Sequence, residues 1–360
     1  MRFLLTGGAG YIGTQILVEL LQAGHDVAVI DNLSSGHLEA LQRAQALAGR
    51  TFSFFRGDIA DRELVSRALC GVDVVFHLAA YKLSGESMLR PERYFQNNVG
   101  GMCALLSAME AAGVRRIVYS SSAAVYGAQR EMPVHEDAPL RPESPYGASK
   151  AQGEQMLEWM VRCHQWSAVS LRYFNPVGAH ASGHIGEPLE SAASLVPRAL
   201  YALTREDSRL TIMGTDYPTP DGTCLRDYVH VKDLARAHLL ALGALEEPRH
   251  AIFNVGTGRP YSVREVLSAC ARVTGREVRF SEGARRPGDV PCAAANPGRF
   301  QRKVGFEAQL GLDEMVASAW NWCQLNPFGY QEAPGNVDGL ALSGILPAEA
   351  QRAGAPPGPV

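Results

Sequence analysis

The sequence predicts an α/β fold: a Rossmann-type, doubly wound parallel sheet with a smaller, interleaved α/β substrate-binding domain. Three observations predict it. The opening stretch, MRFLLTGGAGYIGT, runs an apolar strand (Phe3-Leu4-Leu5) into Gly7, Gly10 and Gly13, and then into Ile12, Ile16, Leu17 and Leu20 at helical spacing. A second apolar run, Asp26-Val27-Ala28-Val29-Ile30, follows one helix later and stops at Asp31. Strand-like runs then alternate with helical stretches through the first half of the 360 residues.

Strand, glycine turn and helix in that order make a dinucleotide site. Glycine lets the backbone approach a pyrophosphate, and a helix N-terminus offers free N–H groups and a positive dipole end. Asp31 at the end of the second strand is placed to accept hydrogen bonds from a ribose, and its charge repels a 2′-phosphate, which favours NAD over NADP. The alternative is that Asp31 only caps the loop Asp31 to Gly36.

Further along, Leu38 to Leu47 is Leu/Ala-rich and helical, and Thr51 to Phe55 alternates as a strand ending near Asp58. Asp58 is set either to meet an adenine amino group or to cap the segment beginning at Asp61. Val72 to Leu78 reads as a buried strand running into Ala79-Ala80, whose small side chains permit close approach of a cofactor. His77, inside that apolar run, reads as a satisfied core histidine. Ile117-Val118-Tyr119 is a strand ending in Ser120-Ser121-Ser122, and Ser144-Pro145 starts a helix with a Ser N-cap and Pro at its first position.

The second half is richer in Gly, Pro and polar turns. Leu171 to Phe174 resumes a strand, and Asn175-Pro176-Val177-Gly178 leaves the sheet. A helix over Ala192 to Leu203, a strand over Leu210 to Met213, a turn-rich loop over Asp216 to Gly222 and a strand over Ala251 to Gly256 follow. The last strand reads as a return to the main sheet. From about Gln331 to Val360 the chain turns rich in Pro, Gly and Ala and reads as a flexible tail.

Bulk properties narrow the partners. A formal net charge of −3 and no Lys/Arg cluster exclude an electrostatic footprint for nucleic acid or an anionic membrane. The 7 cysteines are scattered with no C-x-x-C pair, which argues for a reducing compartment and against a disulfide framework or a zinc site. No basic-then-apolar leader and no membrane-length apolar run is present, so a cytoplasmic protein is expected.

Tyr146 and Lys150 fall one turn apart on one helix face. A tyrosine with a pKa near 10 is a poor base at neutral pH, and an adjacent ammonium or oxidised nicotinamide favours its phenolate. Ser122, at a neighbouring strand end, can bridge the phenol and a substrate hydroxyl. The three form a proton relay beside a hydride acceptor.

These residues carry a resemblance. TGGAGYIG, Asp31-Asn32-Leu33, SSSAAVYG (Ser120 to Gly127) and Tyr146-Gly-Ala-Ser-Lys150 resemble the extended short-chain dehydrogenase/reductase superfamily. Tyr81 to Ser87, LRYFNPVGAH (Leu171 to His180) and the long run from Gly214 to Ala235 resemble its UDP-glucose 4-epimerase family, over about residues 1 to 325.

The resemblance implies a division of labour. Residues 1–176, with a returning segment near 227–257, would hold NAD. Residues 177–330, interleaved, would hold a UDP-sugar, and 331–360 would be the tail. Tyr146 would be the base, Lys150 its partner and Ser122 the group that orients the sugar hydroxyl. Cofactor positions would be Gly7, Gly10, Tyr11, Ile12, Gly13, Asp31, Asn32, Asp58, Ile59, Leu78, Ala79, Ala80, Lys82, Asn97, Ser120, Tyr146, Lys150, Tyr173 and Pro176. Substrate positions would be Lys82, Ser122, Tyr146, Phe174, Asn175, Ser194, Leu195, Thr211, Met213, Arg226, Arg286, Asp289 and Ala293, with the two arginines suited to a diphosphate and a ribose.

The implied reaction inverts C4 of UDP-galactose or UDP-glucose by oxidation, rotation of the 4-keto sugar and reduction, with no metal. A homodimer through two helices of the sheet domain is implied as well. Ser194 stands where the family often has asparagine. The position aligned with Ala293 carries tyrosine in strict hexose epimerases and a small residue in relatives that also take N-acetylhexosamines, so a roomier sugar pocket is expected. Another UDP-sugar 4-epimerase, for instance of pentoses, and a non-catalytic NAD-binding regulator stay as alternatives. A 4,6-dehydratase needs an Asp-Glu pair after the strand-end serine, where this chain has Ala123-Ala124.

Overall fold

The computed structural model describes residues 1–188, 192, 194–205, 208–286 and 289–330; the expected tail at 331–360 lies outside them. In chain order the first half runs β1 (Arg2–Thr6), α1 (Tyr11–Gln22), β2 (Asp26–Asp31), α2 (Leu38–Ala48), β3 (Ser53–Arg56), α3 (Arg62–Ala68) and β4 (Val74–His77). Then come α4 (Ser84–Leu89), α5 (Pro91–Tyr94), a π-helical turn (Phe95–Gly100), α6 (Gly101–Ala111), β5 (Arg116–Ser122), α7 (Pro145–His164) and β6 (Ser167–Tyr173). The second half adds β7 (Asn175–Val177), α8 (Leu195–Thr204), β8 (Leu210–Met213), β9 (Leu225–His230), α9 (Val231–Leu240) and β10 (His250–Val255). It closes with β11 (Pro260–Ser262), α10 (Val263–Thr274), β12 (Phe280–Gly283), β13 (Cys292–Ala293), α11 (Gly298–Val304) and α12 (Leu312–Leu325).

Seven strands make one sheet in the order β10-β6-β5-β4-β1-β2-β3, and every pairing in it is parallel. A parallel sheet needs cover on both faces, and alternation along the strands supplies the two apolar surfaces. Phe3, Leu5, Val27 and Val29 bury into a cluster with Ile16, Leu17 and Leu20 of α1 and Leu234 and Ala237 of α9. Leu4, Ala28 and Ile30 face the other way, against Val65 of α3, Met102 and Leu105 of α6 and Leu157 of α7.

The strand order reverses between β1 and β4, and such a switch point is where ligands bind in open α/β sheets, beyond the carboxyl ends of the strands. His77 ends β4 there as a buried ring, its Nδ1 2.7 Å from Thr6 Oγ1 and its face stacked on Tyr119. Burial pulls its pKa down to about 3, so it is neutral and structural.

The segment near 227–257 divides between two sheets. β10 extends the main sheet beside β6, but β9 is the centre of a smaller one, pairing with β7, β11 and β13, while α9 covers the main sheet. β8 and β12 form a separate parallel pair. The helix expected from Ala192 begins at Leu195, after Ser194, whose hydroxyl donates to Glu187 (3.3 Å) instead of capping the helix.

Candidate active site

The glycine turn fits a pyrophosphate by what it leaves out. A Cβ on Gly7, which turns with φ +73°, would stand 2.7 Å from Ala79 N in the loop after β4, and one on Gly13 would stand 2.2 Å from Gly7 O. Gly10 is the N-cap of α1, with no side-chain cap and no acidic residue in the first turn, so no side chain of the cap competes with an anion for the first N–H groups. Replacing Gly13 with alanine must push the turn outward. We expect purified G13A to carry little bound NAD, read from its 260/280 nm absorbance ratio, and to be less stable by roughly 1–3 kcal/mol.

Asp31 is buried beside this turn, its carboxylate accepting from Ala9 N (2.9 Å) and Leu33 N (2.8 Å). Burial raises its pKa against those bonds. Asn32 Nδ2 donates to Asp58 (2.9 Å), whose other oxygen accepts from Ala60 N. The cap of the next helix is therefore Asp61, accepting from Glu63 N and Leu64 N, and not Asp58. Asp58 stays exposed at the strand end with Ile59 buried behind it. Leu78 and Ala79 donate their N–H groups to Thr6 O and Thr6 Oγ1, which seats Leu78-Ala79-Ala80 against the glycine turn. Asn97 Nδ2 donates to Asn98, which holds Tyr81 on one side and Ser149 of α7 on the other. Tyr11 donates its hydroxyl to Gly178 O (2.5 Å), next to Pro176 and β7. These residues fit a dinucleotide laid across the ends of β1, β2 and β4.

At the next strand over, three consecutive serines of β5 meet three successive turns of α7. Ser144 caps that helix by accepting from Gly147 N, with Pro145 at its first position. Tyr146 is hydrogen-bonded to the Ser122 hydroxyl, Lys150 Nζ donates to Ser120 O (2.6 Å), and Ser121 donates to Glu154 (2.5 Å). Sequence reasoning missed Glu154, although the spacing Tyr146, Lys150, Glu154 extends one helical face and was there to read.

The electrostatics differ from the expected lowering of the Tyr146 pKa. Burial pushes the Tyr146 phenol up, opposed by the Ser122 hydrogen bond. Burial also pulls the Lys150 ammonium down to about 7, opposed by the Glu154 carboxylate. The pocket disfavours both charged forms, so the phenolate depends on positive charge arriving with a ligand.

From Ser122 the wall continues without a break. Ser122 pairs in register with Tyr173 of β6, whose hydroxyl is spent on His238 Nε2 (2.6 Å) and Ser120. Phe174 is buried, and Asn175 Nδ2 donates to Asp227 O (2.8 Å). The next residue back, Arg226, donates to Val290 O (2.9 Å) and to Asp289 (3.2 Å), and lies in register with Ala293 of β13. Asp227 fixes this corner from behind, its carboxylate accepting from Thr257 N, Gly258 N and Ala295 N; it was missed because an Arg-Asp pair in a strand reads as surface. Thr211 and Met213 lie on β8, the Thr211 hydroxyl 3.4 Å from Ser281. Arg286 is exposed, tied to the corner by its carbonyl, which accepts from Asp289 N. Ser194 and Leu195 start α8. Ser194 and Lys82 come together on Glu187, a third residue the sequence did not single out.

Comparisons with known proteins identify the family. Residues 3–256 match the family described as "NAD dependent epimerase/dehydratase family". The UDP-glucose 4-epimerase of Bacillus subtilis (strain 168) is 43% identical over 338 residues, covering 92% of this chain and 100% of the relative. The crystal structure of UDP-glucose 4-epimerase from Bifidobacterium longum in complex with NAD+ and UDP matches with a TM-score of 0.87 and 39% identity, covering 91% of this chain and 100% of that one. The Stenotrophomonas maltophila UDP-glucose-4-epimerase with bound NAD and formylated UDP-arabinopyranose matches at TM-score 0.87 and 39% identity, over 91% and 99% of the two chains. A strand–glycine–helix turn at a switch point, a Ser-Tyr-Lys set beside it and full-length likeness to these proteins lead to one assignment: the chain belongs to the NAD-dependent epimerase/dehydratase family and, within it, to the UDP-glucose 4-epimerases.

Proposed function

We infer that this chain interconverts UDP-galactose and UDP-glucose by NAD-dependent inversion at C4. The observation that carries the reading is the placement of Tyr146, Ser122 and Lys150 at the carboxyl end of β5, two strands from the glycine turn. The bound cofactor supplies a reversible hydride acceptor.

The chain does the rest. Tyr146 takes the proton of the C4 hydroxyl, with Ser122 orienting that hydroxyl, and returns a proton when the sugar is reduced. Lys150, anchored on Ser120 O one turn from Tyr146, holds its amine beside the phenol, and positive charge arriving with the cofactor favours the phenolate. Arg226 and Arg286 hold the diphosphate and the ribose, with Asp289 fixing Arg226, so the nucleotide stays fixed while the 4-keto sugar turns about its link to the diphosphate. Residues 1–176 with β10 serve the dinucleotide and 177–330 the UDP-sugar. Among the described residues no helix is long and apolar enough to cross a membrane. A homodimer through two helices of the sheet domain is the proposed assembly, and Trp159, 60% exposed on α7, is apolar surface it could cover; light scattering at about twice the 38.9 kDa chain mass tests it.

Ala293 favours a second substrate pair. Ala293 lies in register with Arg226, and its methyl group takes far less room than the tyrosine expected there in strict hexose epimerases, so the reading extends to UDP-GalNAc and UDP-GlcNAc. The test supplies protein without added NAD with UDP-galactose and UDP-GalNAc separately and follows the anomeric protons by NMR. Both sugars convert if the reading holds, and A293Y keeps UDP-galactose while losing UDP-GalNAc by at least ~10-fold, the effect of a filled pocket. Conversion of neither sugar, even with NAD supplied, sinks the assignment. Conversion of UDP-galactose alone sinks only the wider pocket.

A further inference from the structure

Glu187 lies outside the Tyr146 relay, yet its two carboxylate oxygens are divided between two walls of the site. Oε1 accepts from Lys82 Nζ (3.1 Å), in the loop beyond β4, and Oε2 accepts from the Ser194 hydroxyl (3.3 Å), at the start of α8. The partners are 105 and 7 residues away in sequence, so the carboxylate is the link between a segment of the main sheet and a helix of the second half. Its own backbone is held rigidly: Trp322 Nε1 donates to Glu187 O (2.8 Å), and a Cβ on neighbouring Gly186 would stand 2.4 Å from the Trp322 ring.

Glu187 is 7% exposed. A carboxylate that deep is costly to desolvate, and the Lys82 ammonium and the Ser194 hydroxyl offset that cost, so its geometry is tied to both. Lys82 itself is half exposed and flexible by nature, with its ammonium 5.8 Å from the Tyr11 ring centre. Without an anchor it would sample many rotamers and lose entropy on meeting a phosphate. Ser194 shows the same commitment, since it gives up the helix cap that its position offers.

We propose that Glu187 is a positioning residue for nucleotide-sugar binding: by spanning Lys82 and Ser194 it sets both side chains, and so fixes the dinucleotide-facing loop relative to the N-terminus of α8. The role depends on the reach of the side chain more than on its charge. It rests on the assignment of a UDP-sugar to this site.

Two conservative substitutions separate reach from charge. E187Q keeps the length, and its amide can accept from Lys82 and donate to the Ser194 oxygen. E187D keeps the charge but is one methylene too short to touch both. Calorimetric titration of each NAD-loaded protein with UDP reads binding without catalysis. We expect E187D to weaken UDP binding by roughly 10-fold, the size of one lost charge-assisted hydrogen bond, and E187Q to stay within about 3-fold of the parent. In turnover E187D should raise KM with kcat little changed, the sign of lost ground-state binding. An E187D that binds UDP like the parent overturns the proposal. So does an E187Q that loses as much as E187D, because charge and not reach would then be the cause. A parent protein that binds no UDP overturns the substrate assignment first, and this proposal with it.

Discussion

Tyr146→Phe lowers kcat for UDP-galactose by about 10²–10⁴, the contribution of a positioned general base, and leaves NAD in the purified protein. The substitution removes one oxygen at the first turn of α7 and nothing from the glycine turn, the Asp31 corner or the Lys150 anchor on Ser120 O. Cofactor retention and turnover therefore separate, and absorbance and NMR measure them on the same sample. Loss of NAD together with activity would place Tyr146 in binding instead. Ser122→Ala should sit between the parent and Y146F, since Ser122 both orients the substrate and opposes the burial that pushes the Tyr146 pKa up.

Arg172→Met carries the largest expected cost in stability. Arg172 and Glu154 form a buried two-point pair, Nε to Oε1 at 2.9 Å and Nη2 to Oε2 at 2.6 Å, with side chains 3% and 4% exposed. Arg172 also donates to the Tyr126 hydroxyl (2.8 Å) and to Glu136 O (2.9 Å), so it binds β6, α7 and the segment after β5 together. Removing it leaves the Glu154 carboxylate in the core with Ser121 as its remaining hydrogen-bond partner, at about 3–5 kcal/mol by chemical denaturation. The double variant E154L/R172M should recover much of this loss, because an apolar pair of similar volume has no unpaired charge. If the double variant is no better than R172M, packing and not charge explains the cost. Glu154 also opposes the burial that pulls the Lys150 pKa down, so the double variant should need a lower pH than the parent to keep that ammonium and full activity, read from its pH–rate profile.

The main sheet was legible in the sequence because its strands are apolar on both faces and its turns carry glycine. Phe3 to Leu5, Val27 to Ile30 and Ile117 to Tyr119 each fall inside an observed strand of that sheet. The second sheet was not legible. β13 is two residues long and exists only through its register with β9, and β9 itself places Arg226 and Asp227 in a strand where both have structural partners. Its α9 neighbour was hidden in the same polar stretch.

Within the site, residue types at fixed spacing identified Tyr146 and Lys150, but not the pocket's effect on them. Their pKa directions follow from desolvation, which depends on what α7 packs against and not on the spacing between the two. Glu187 and Asp227 were invisible for a related reason: each acts on residues far away in the chain.

The order of strands has a consequence for synthesis. β6 ends at Tyr173, and its outer neighbour β10 begins at His250, so one edge of a fully buried strand waits for 77 more residues. At about 5–20 residues per second the ribosome takes roughly 4–15 s to deliver them. Through that interval the nascent chain presents the bare hydrogen-bonding edge of β6, the kind of surface that recruits another strand. The sheet that cradles the cofactor is thus sealed by a segment made late, and its last hydrogen-bonding edge closes only once β10 has been synthesised.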